Sequence, residues 1–460
     1  MTVPYLYADI AIIANDLPRS AYEQYGELTP YYYLRMMACC FFRHPEYARH
    51  VRQLTLRWDE ETDYHEPVKV AIEPEIEEAI KVLTVGGFIT KSLMYDVKHI
   101  QNVCVILALL LGVLDHLERL DLHTYPVFES FTHSVEQYLR WGDIKCCEEL
   151  TDVMVVCPGN PFLPLQSHGF WFTSPTIRSI SFFKLSSDVA SWEEVGCWEN
   201  NLRSLKPKSS TVEHLELRAA WLNKEEVLSI LGAPKALKSF IFEYRFIGPG
   251  YLSCPDILRA LMQHRDSLED LCLSWWECYT HDSHADEVGD VIHPLITPLE
   301  SFADLQKLKR LRIDMAILLG EAATEDASQP DIDEHRLADA LPPQLELLHL
   351  THVQDSFIEA VPMLEQVLQR KRTNFASLRE IVLEAPFATE KGLWTDTQAL
   401  LRLAKELGIQ LTLLHNYHNL TAEGPKGPER GWGMDEEVRW EEIGDDCNKR
   451  PVFDVVELQH

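Results

Sequence analysis

The pattern Leu-x-x-Leu-x-Leu, in which other apolar residues can replace leucine, recurs along this chain and constrains its fold more than any other feature. From Val212 onward the motifs begin at 212, 237, 268, 308, 345 and 378, so the steps are 25, 31, 40, 37 and 33 residues. Steps of this length each fit one strand and one helix, which predicts stacked repeats. The motifs lie at Val51/Leu54/Leu56, Leu117/Leu120/Leu122, Ile177/Ile180/Phe182, Val212/Leu215/Leu217, Leu237/Phe240/Phe242, Leu268/Leu271/Leu273, Leu308/Leu311/Ile313, Leu345/Leu348/Leu350 and Leu378/Ile381/Leu383.

Most of the segments between the motifs carry helix signals. Asn223 is a predicted N-cap, and Gly232 is predicted to end that helix in a left-handed turn. The same reasoning predicts helices that contain Pro255 in the first turn, follow Asp333, begin at Pro362 and follow Thr395, the last closed by Gly408. The predicted unit is strand, loop, helix, loop. This is the α/β unit of a leucine-rich-repeat solenoid of parallel strands and helices with irregular repeat lengths.

Polar residues alternate with the leucines in these strands. A doubly wound α/β domain is the competing interpretation, but its strands are covered on both faces and are usually apolar throughout. The alternation predicts instead that one strand face, the concave face of a solenoid, meets solvent or a partner. The predicted partner-binding residues are Arg119, Asp121, His214, Glu216, Arg218, Glu243, Asp270, Arg310, Arg312, Asp314, His349, Glu380 and Glu384.

The charge and the cysteines limit the class of protein. The formal net charge is −30, which disfavours nucleic acid and anionic membranes as partners and leaves solubility or a basic protein partner. Val103–Leu114 is almost wholly apolar, but as a helix it spans only about 18 Å, so we expect a buried helix rather than a membrane span. The eleven cysteines show no zinc-site spacing and no signal peptide is visible. We therefore expect reduced thiols and an intracellular protein, cytoplasmic or nuclear.

The two ends of the chain are less regular than the middle. The first motif starts are 66 and 60 residues apart, which predicts long insertions between the early repeats. We expect an N-terminal cap region over residues 1–50, irregular leucine-rich repeats over 51–416, and an acidic segment over 417–460. That last segment is either a disordered tail or a cap on the final repeat, and the sequence leaves both open.

Four stretches of the chain resemble fungal F-box/leucine-rich-repeat-like proteins. They are Pro4–Ile10, Pro45–Leu54, Leu341–Leu350 and Leu407–Leu411, which resemble the strand after an F-box, the entry to the first repeat, a late repeat and the terminal strand. The resemblance implies the substrate-binding part of an F-box-type ubiquitin ligase receptor. The chain departs from the family because only three residues precede Pro4, so the F-box itself is expected to be missing here or encoded upstream.

No catalytic motif accompanies these features. The sequence lacks a nucleophile elbow, a phosphate-binding loop and a dinucleotide fingerprint, and three strand histidines (His123, His214 and His349) are the only candidates for a metal or acid–base cluster. We therefore predict a protein-recognition module that is not an enzyme and has no cofactor or metal. It would hold a protein on its concave face, with cullin-type ligase subunits as further partners if an F-box is encoded upstream. The alternative is a ligase-independent scaffold or adaptor that holds two partners.

Overall fold

The structure is a computed structural model. It describes residues 9–13, 30–57, 106–107, 110–123, 148–156, 163–164, 168–183, 185–186, 205–220, 222–244, 253–275, 301–319, 334–351, 357–385 and 391–415. The chain divides into two compact units: unit 1 is Met1–His214 with Ala233–Lys235, and unit 2 is Leu215–Gly232 with Ala236–His460. The predicted boundaries at residues 50 and 416 stay predictions.

Twelve strands form one sheet in the order β1-β2-β3-β4-β6-β8-β9-β10-β11-β12-β13-β14, so spatial order follows chain order. The fold is α/β with parallel pairing, which confirms the predicted class and agrees with a solenoid-like arrangement. β5 and β7 form a separate two-stranded sheet. The strands are β1 (Asp9–Ile13), β2 (Gln53–Arg57), β3 (Arg119–His123), β4 (Asp152–Val156), β5 (Leu163–Pro164), β6 (Ser179–Phe183), β7 (Leu185–Ser186), β8 (His214–Ala220), β9 (Ser239–Tyr244), β10 (Asp270–Trp275), β11 (Arg310–Asp314), β12 (Leu347–Thr351), β13 (Glu380–Ala385) and β14 (Gln410–His415).

In each of the nine predicted motifs the second and third apolar residues lie on a strand of the sheet, and the predicted last strand is β14. The sequence interpretation missed β4, whose apolar positions are Leu150, Val153 and Val155. This strand divides the predicted 60-residue step into steps of 33 and 27, from 117 to 150 to 177. The long insertion predicted there was therefore wrong, because a further strand with valines at two motif positions lies between β3 and β6.

The helices of the described residues are short and lie mostly between the strands. They are α1 (Pro30–Arg43), α2 (Pro45–Ala48), α3 (Lys224–Gly232), α4 (Cys254–Leu261), α5 (Met315–Leu319), α6 (Arg336–Ala340), α7 (Phe357–Gln369) and α8 (Lys391–Glu406). Asn223 caps α3 as predicted, since its Oδ1 accepts a hydrogen bond from the Glu226 N–H at 3.0 Å. Gly408 has a left-handed φ of 69°, also as predicted. Both signals work because they report local backbone geometry.

Two predicted helix boundaries and one predicted left-handed turn were wrong. Gly232 ends α3, but the only glycine with positive φ among the described residues is Gly408. Pro362 lies inside α7, which begins at Phe357, and Thr395 lies inside α8, which begins at Lys391. Both helices therefore begin four to five residues before the helix start that the sequence indicates.

A capping box fixes the start of α4. Ser253 Oγ accepts a hydrogen bond from the Asp256 N–H at 3.3 Å, and Asp256 Oδ2 lies 2.7 Å from Lys224 Nζ. Burial alone would raise the pKa of Asp256, but its hydrogen bonds with Lys224 and Ser253 outweigh burial and lower the pKa to about 2. The Lys224–Asp256 ion pair ties the start of α3 to the start of α4.

The inner face of the sheet, meaning the face that carries the motif leucines, packs against the helices. Leu54, Leu120, Leu311 and Leu348 are fully buried on four different strands. In unit 2, the inner residues Phe242 and Leu273 line one small crevice with Cys254 and Ile257 of α4, together with Ser274 and Ile317. Burying a side chain of this size stabilises the fold by about 1.5–3 kcal/mol. This layer is the core of both units.

An aromatic segment completes the core of unit 1. Residues Gly169–Thr173 form a 3-10 helix that buries Phe170, Trp171 and Phe172, and the Phe172 ring lies 6.4 Å from that of Phe182 on β6. His168 is buried beside it, and desolvation lowers the pKa of its imidazole to about 3. This segment is therefore a core element with a neutral histidine.

A row of alternating charges runs along the residues that precede β9 to β13. We call Lys238, Glu269, Lys309, Glu346 and Arg379 the charged row. Lys309 Nζ lies 2.6 Å from Glu269 Oε2, and Arg379 pairs with Glu346. Each backbone N–H of the row donates to the carbonyl of the preceding member, as in Glu269 to Lys238 at 2.8 Å and Lys309 to Glu269 at 2.8 Å. Since these side chains are largely exposed, the pairs contribute little stability, but they favour one strand register.

The apolar segment Val103–Leu114 is helical at the residues that the structure describes there before Leu111, and Ile106, Leu107, Leu110 and Leu111 are buried. Among the described parts of the chain, no helix is both long enough and apolar enough to cross a bilayer.

Candidate functional site

Ten side chains with polar or thiol groups gather on the outer face of unit 2, at strand positions that alternate with the buried leucines. We call them the polar face: Glu216, Arg218, Glu243, Cys272, Ser274, Arg312, Asp314, His349, Thr351 and Glu384. The parallel register places Cys272, Arg312 and His349 side by side on β10, β11 and β12. A second line parallel to it pairs Glu243 with Ser274 and Asp314 with Thr351. Residues up to 168 positions apart, Glu216 and Glu384, thus lie on one surface because neighbouring strands keep a matching register.

An alternating chain of charges crosses this face. Arg218 pairs with Glu216 on its own strand, and its Nη1 lies 3.4 Å from Glu243 Oε1. Burial alone would lower the pKa of the Arg218 guanidinium, but the carboxylates of Glu243 and Glu216 outweigh burial and raise it. The Arg218 side chain is 18% exposed, so this cation is held in place while part of it stays accessible.

Arg312 lies at the centre of the polar face, and its hydrogen-bond donors are largely unused among the residues that the structure describes. Its Nη1 is 4.0 Å from Glu243 Oε1 and its Nη2 is 3.7 Å from Glu384 Oε2, so both carboxylates are near but beyond normal hydrogen-bond distance. Its Nε is buried and has no hydrogen-bond partner within the described part of the chain. The side chain is 28% exposed. A guanidinium has five N–H donors in a planar fork, so Arg312 is equipped to bind an acceptor from another molecule.

Asp314 and Cys272 form a buried floor of the face beside Arg312. Asp314 is fully buried and accepts hydrogen bonds from Thr351 Oγ1 at 2.5 Å and Ser274 Oγ at 3.4 Å. Burial raises the pKa of the Cys272 thiol to about 12, although Arg312 and Arg218 act in the opposite direction. Cys272 is therefore an uncharged thiol near neutral pH, which makes it a poor nucleophile.

His349 and Glu384 form the end of the charge chain. His349 Nε2 lies 3.3 Å from Glu384 Oε2, and both side chains are nearly inaccessible to solvent. Their burial means that a partner would reach this end of the face mainly through Arg312. The four carboxylates of the polar face outnumber its two guanidiniums, so the face keeps a negative excess while His349 is neutral.

The structure places the thirteen predicted residues in three groups. The first group, in unit 1, is Arg119, Asp121 and His214. The second group lies at the strand starts of unit 2 and consists of Asp270, Arg310 and Glu380. Arg310 pairs with Asp270, and its side chain is 59% exposed. The other seven all belong to the polar face, but Asp314, His349 and Glu384 are buried. The list missed Ser274 and Thr351, whose signal was their alternation with Leu273 and Leu350 in strands already identified.

In unit 1, Asp121 is the one predicted residue buried among hydrogen-bond donors. Its carboxylate accepts from Arg119 Nε at 3.0 Å and Gln53 Nε2 at 3.3 Å, with Thr55 Oγ1 at 3.5 Å. Burial raises the pKa of this carboxyl despite the opposing hydrogen bond from Arg119. Asp121 therefore serves to hold three neighbouring side chains on β2 and β3.

Within the described residues, no three His, Cys, Asp or Glu side chains are grouped to hold a metal ion. Neither a protein-family model nor a curated protein matches the chain. The geometry of the polar face therefore carries the functional argument.

Proposed function

We propose that this chain is a leucine-rich-repeat protein-recognition module that binds a protein partner through the polar face of unit 2. The observation that carries the proposal is Arg312, a central guanidinium with unused donors between Glu243 and Glu384. A partly exposed arginine held by surrounding charges is the kind of residue that dominates binding energy at protein interfaces. The recurring motif and the parallel strands support the leucine-rich-repeat assignment.

The polar face suits a partner with both signs of charge. Arg312 calls for a carboxylate or a backbone carbonyl, since both accept hydrogen bonds from a guanidinium fork. Because carboxylates outnumber guanidiniums on this face, we expect the partner to carry a basic side chain beside that acceptor. The partner would thus present an acceptor flanked by lysine or arginine.

The test compares two arginines of one strand. A photo-crosslinking residue at Thr412, which is half-buried and lies in the same line as Arg312 and His349, would capture the partner in cells of the native host. We expect Arg312→Gln to weaken capture about 30-fold or more, the effect of losing roughly 2 kcal/mol at an interface hot spot. Arg310→Gln is the matched control, because Arg310 is two residues away and already paired with Asp270.

Three results would overturn the binding proposal. They are no adduct at Thr412, equal adducts from a crosslinker placed at the exposed Gln398 of α8, or equal loss of capture in both arginine variants. Melting temperatures of both variants separate binding from folding. In Arg312→Gln, Glu243 keeps Arg218 and Glu384 keeps His349, so we expect a stable protein.

Within this proposal, the module is the substrate-binding part of an F-box-type ubiquitin ligase receptor. The support is the resemblance of Pro45–Leu54 and Leu341–Leu350 to fungal F-box/leucine-rich-repeat-like proteins. Mass spectrometry of complexes formed by the full transcript product tests it. Recovery of cullin-type ligase subunits supports the receptor role, and crosslinked partners without those subunits indicate a ligase-independent scaffold instead.

A further inference from the structure

Among the described residues, the last strand of the sheet has an unpaired edge and an apolar layer that is only partly covered. β14 pairs with β13 in parallel register, and no described strand lies on its other side. Such an edge presents a row of backbone N–H and C=O groups that can pair with another strand. Leu411, the inner residue of β14, is only half-buried, whereas its register neighbour Ile381 is 1% exposed.

The helix of this last repeat shows the same incomplete cover. Leu401 and Leu403 of α8 and Leu407 just after it are half-buried. In α7 of the preceding repeat, Leu364, Val367 and Leu368 are fully buried. The half-buried leucines therefore belong to both layers of the final repeat, as expected where a further repeat or a cap would pack.

The sequence that follows β14 contains a matching segment. Phe453, Val456 and Leu458 repeat the Leu-x-x-Leu-x-Leu pattern in residues that lie outside the described part of the chain. Leu411 and Val456 are 45 residues apart, against 40 for the longest step between inner residues of unit 2, from Leu271 to Leu311. A parallel crossover needs about a dozen residues or more, so the chain is long enough to reach.

We propose that the segment 453–458 of this chain pairs in parallel with β14 and caps the sheet. In this register Val456 lies beside Leu411 and Leu458 beside Leu413, on the inner face. Val455 and Glu457 then lie beside Gln410 and Thr412 on the outer face. The motif alone is common in apolar sequences. Here, however, it follows a strand with an unpaired edge, at a separation along the chain that one repeat can span. An intramolecular strand also prevents edge-to-edge association of copies, a hazard of any uncovered strand.

Two adjacent valines make the test specific for the register. In the full chain, hydrogen–deuterium exchange read by mass spectrometry reports protection of the Gln410–His415 amides. We expect Val456→Glu to speed their exchange at least about tenfold, because a carboxylate would enter the apolar layer. The matched control Val455→Glu should change the rates by no more than about a factor of three, as for a surface position. The amides of β9 and β10 should keep their protection in both variants.

If Val456→Glu fails to fold, the milder substitution Val456→Thr replaces it. Threonine keeps the shape of the side chain, and we expect it to speed exchange of the Gln410–His415 amides in the same direction. Equal effects of the two glutamate variants, or no effect of either, would overturn the proposal. Protection of β14 that rises with protein concentration would also overturn it, since a second copy would then cover the edge.

Discussion

Units 1 and 2 share an inner strand face and differ on the outer one. In both, the motif positions are apolar and buried, as at Leu120 and Leu311. The outer face of unit 1 combines the buried register neighbours Val156 and Phe183 with the Arg119–Asp121 ion pair, whereas that of unit 2 carries Arg218 and Arg312 among carboxylates. The motif therefore determines the core and leaves the outer face free to differ. The place to look for function is where the two units diverge.

The largest expected effect tests the shared inner face. Leu120→Ala in unit 1 and Leu311→Ala in unit 2 should each reduce the free energy of unfolding by about 2–5 kcal/mol, because both side chains are fully buried. Hydrogen exchange of the flanking strands measures each loss locally. Arg310→Ala, at an exposed position on the same strand as Leu311, is the control. A loss confined to one of the two leucines would show that the inner faces are not equivalent.

A smaller effect tests the charged outer face of unit 2. Arg218→Met should cost roughly 2–3 kcal/mol, less than the 3–5 kcal/mol of a fully buried pair, because it leaves Glu216 and Glu243 without their shared cation at a partly exposed site. The urea midpoint measures this loss. Arg178→Met in unit 1 removes an exposed arginine that donates to the Thr211 carbonyl at 3.1 Å, and it should cost well under half as much. Equal losses of unfolding free energy in the two variants would mean that the ion pairs of Arg218 stabilise the fold no more than one exposed hydrogen bond does.

The smallest effect tests the outer face of unit 1 through pH. Burial raises the pKa of Asp121 in the folded state, so the folded state binds more protons than the unfolded chain above about pH 4. Its contribution to stability is therefore greatest at lower pH and declines as the pH rises through the raised folded pKa. Asp121→Asn should flatten this part of the stability–pH curve, measured by thermal melting from pH 3 upward. An unchanged slope would contradict the assignment.

The strands could be predicted from the sequence because their leucines must be buried at a fixed spacing. β4 was missed since Val153 and Val155 replace leucine in the weakest form of the pattern. The helix boundaries at Pro362 and Thr395 failed because a residue that favours a helix start does not prevent helical residues before it. The repeated strands could thus be predicted from the sequence, whereas the starts of these helices could not.

The candidate site was predictable as a face but not as a set of contacts. Alternation with the leucines identified Glu216, Arg218 and Arg312 as outer residues. The partners of Arg218 and Arg312 on other strands depend on register between strands about 25 to 70 residues apart, which no local pattern contains. The unused donors of Arg312 depend in turn on distances of 3.7 and 4.0 Å, a difference of about one ångström from a hydrogen bond.

The charged row also limits how a chain of this kind can grow. Lys238, Glu269, Lys309, Glu346 and Arg379 alternate in sign from one strand to the next. Duplicating or deleting a single repeat within the row would place two like charges on adjacent strands, whereas adding or removing a pair of repeats would preserve the alternation. Relatives that differ in length by an even number of repeats should therefore retain the alternation of charge. Relatives that differ by one repeat should show a compensating change of sign in the row.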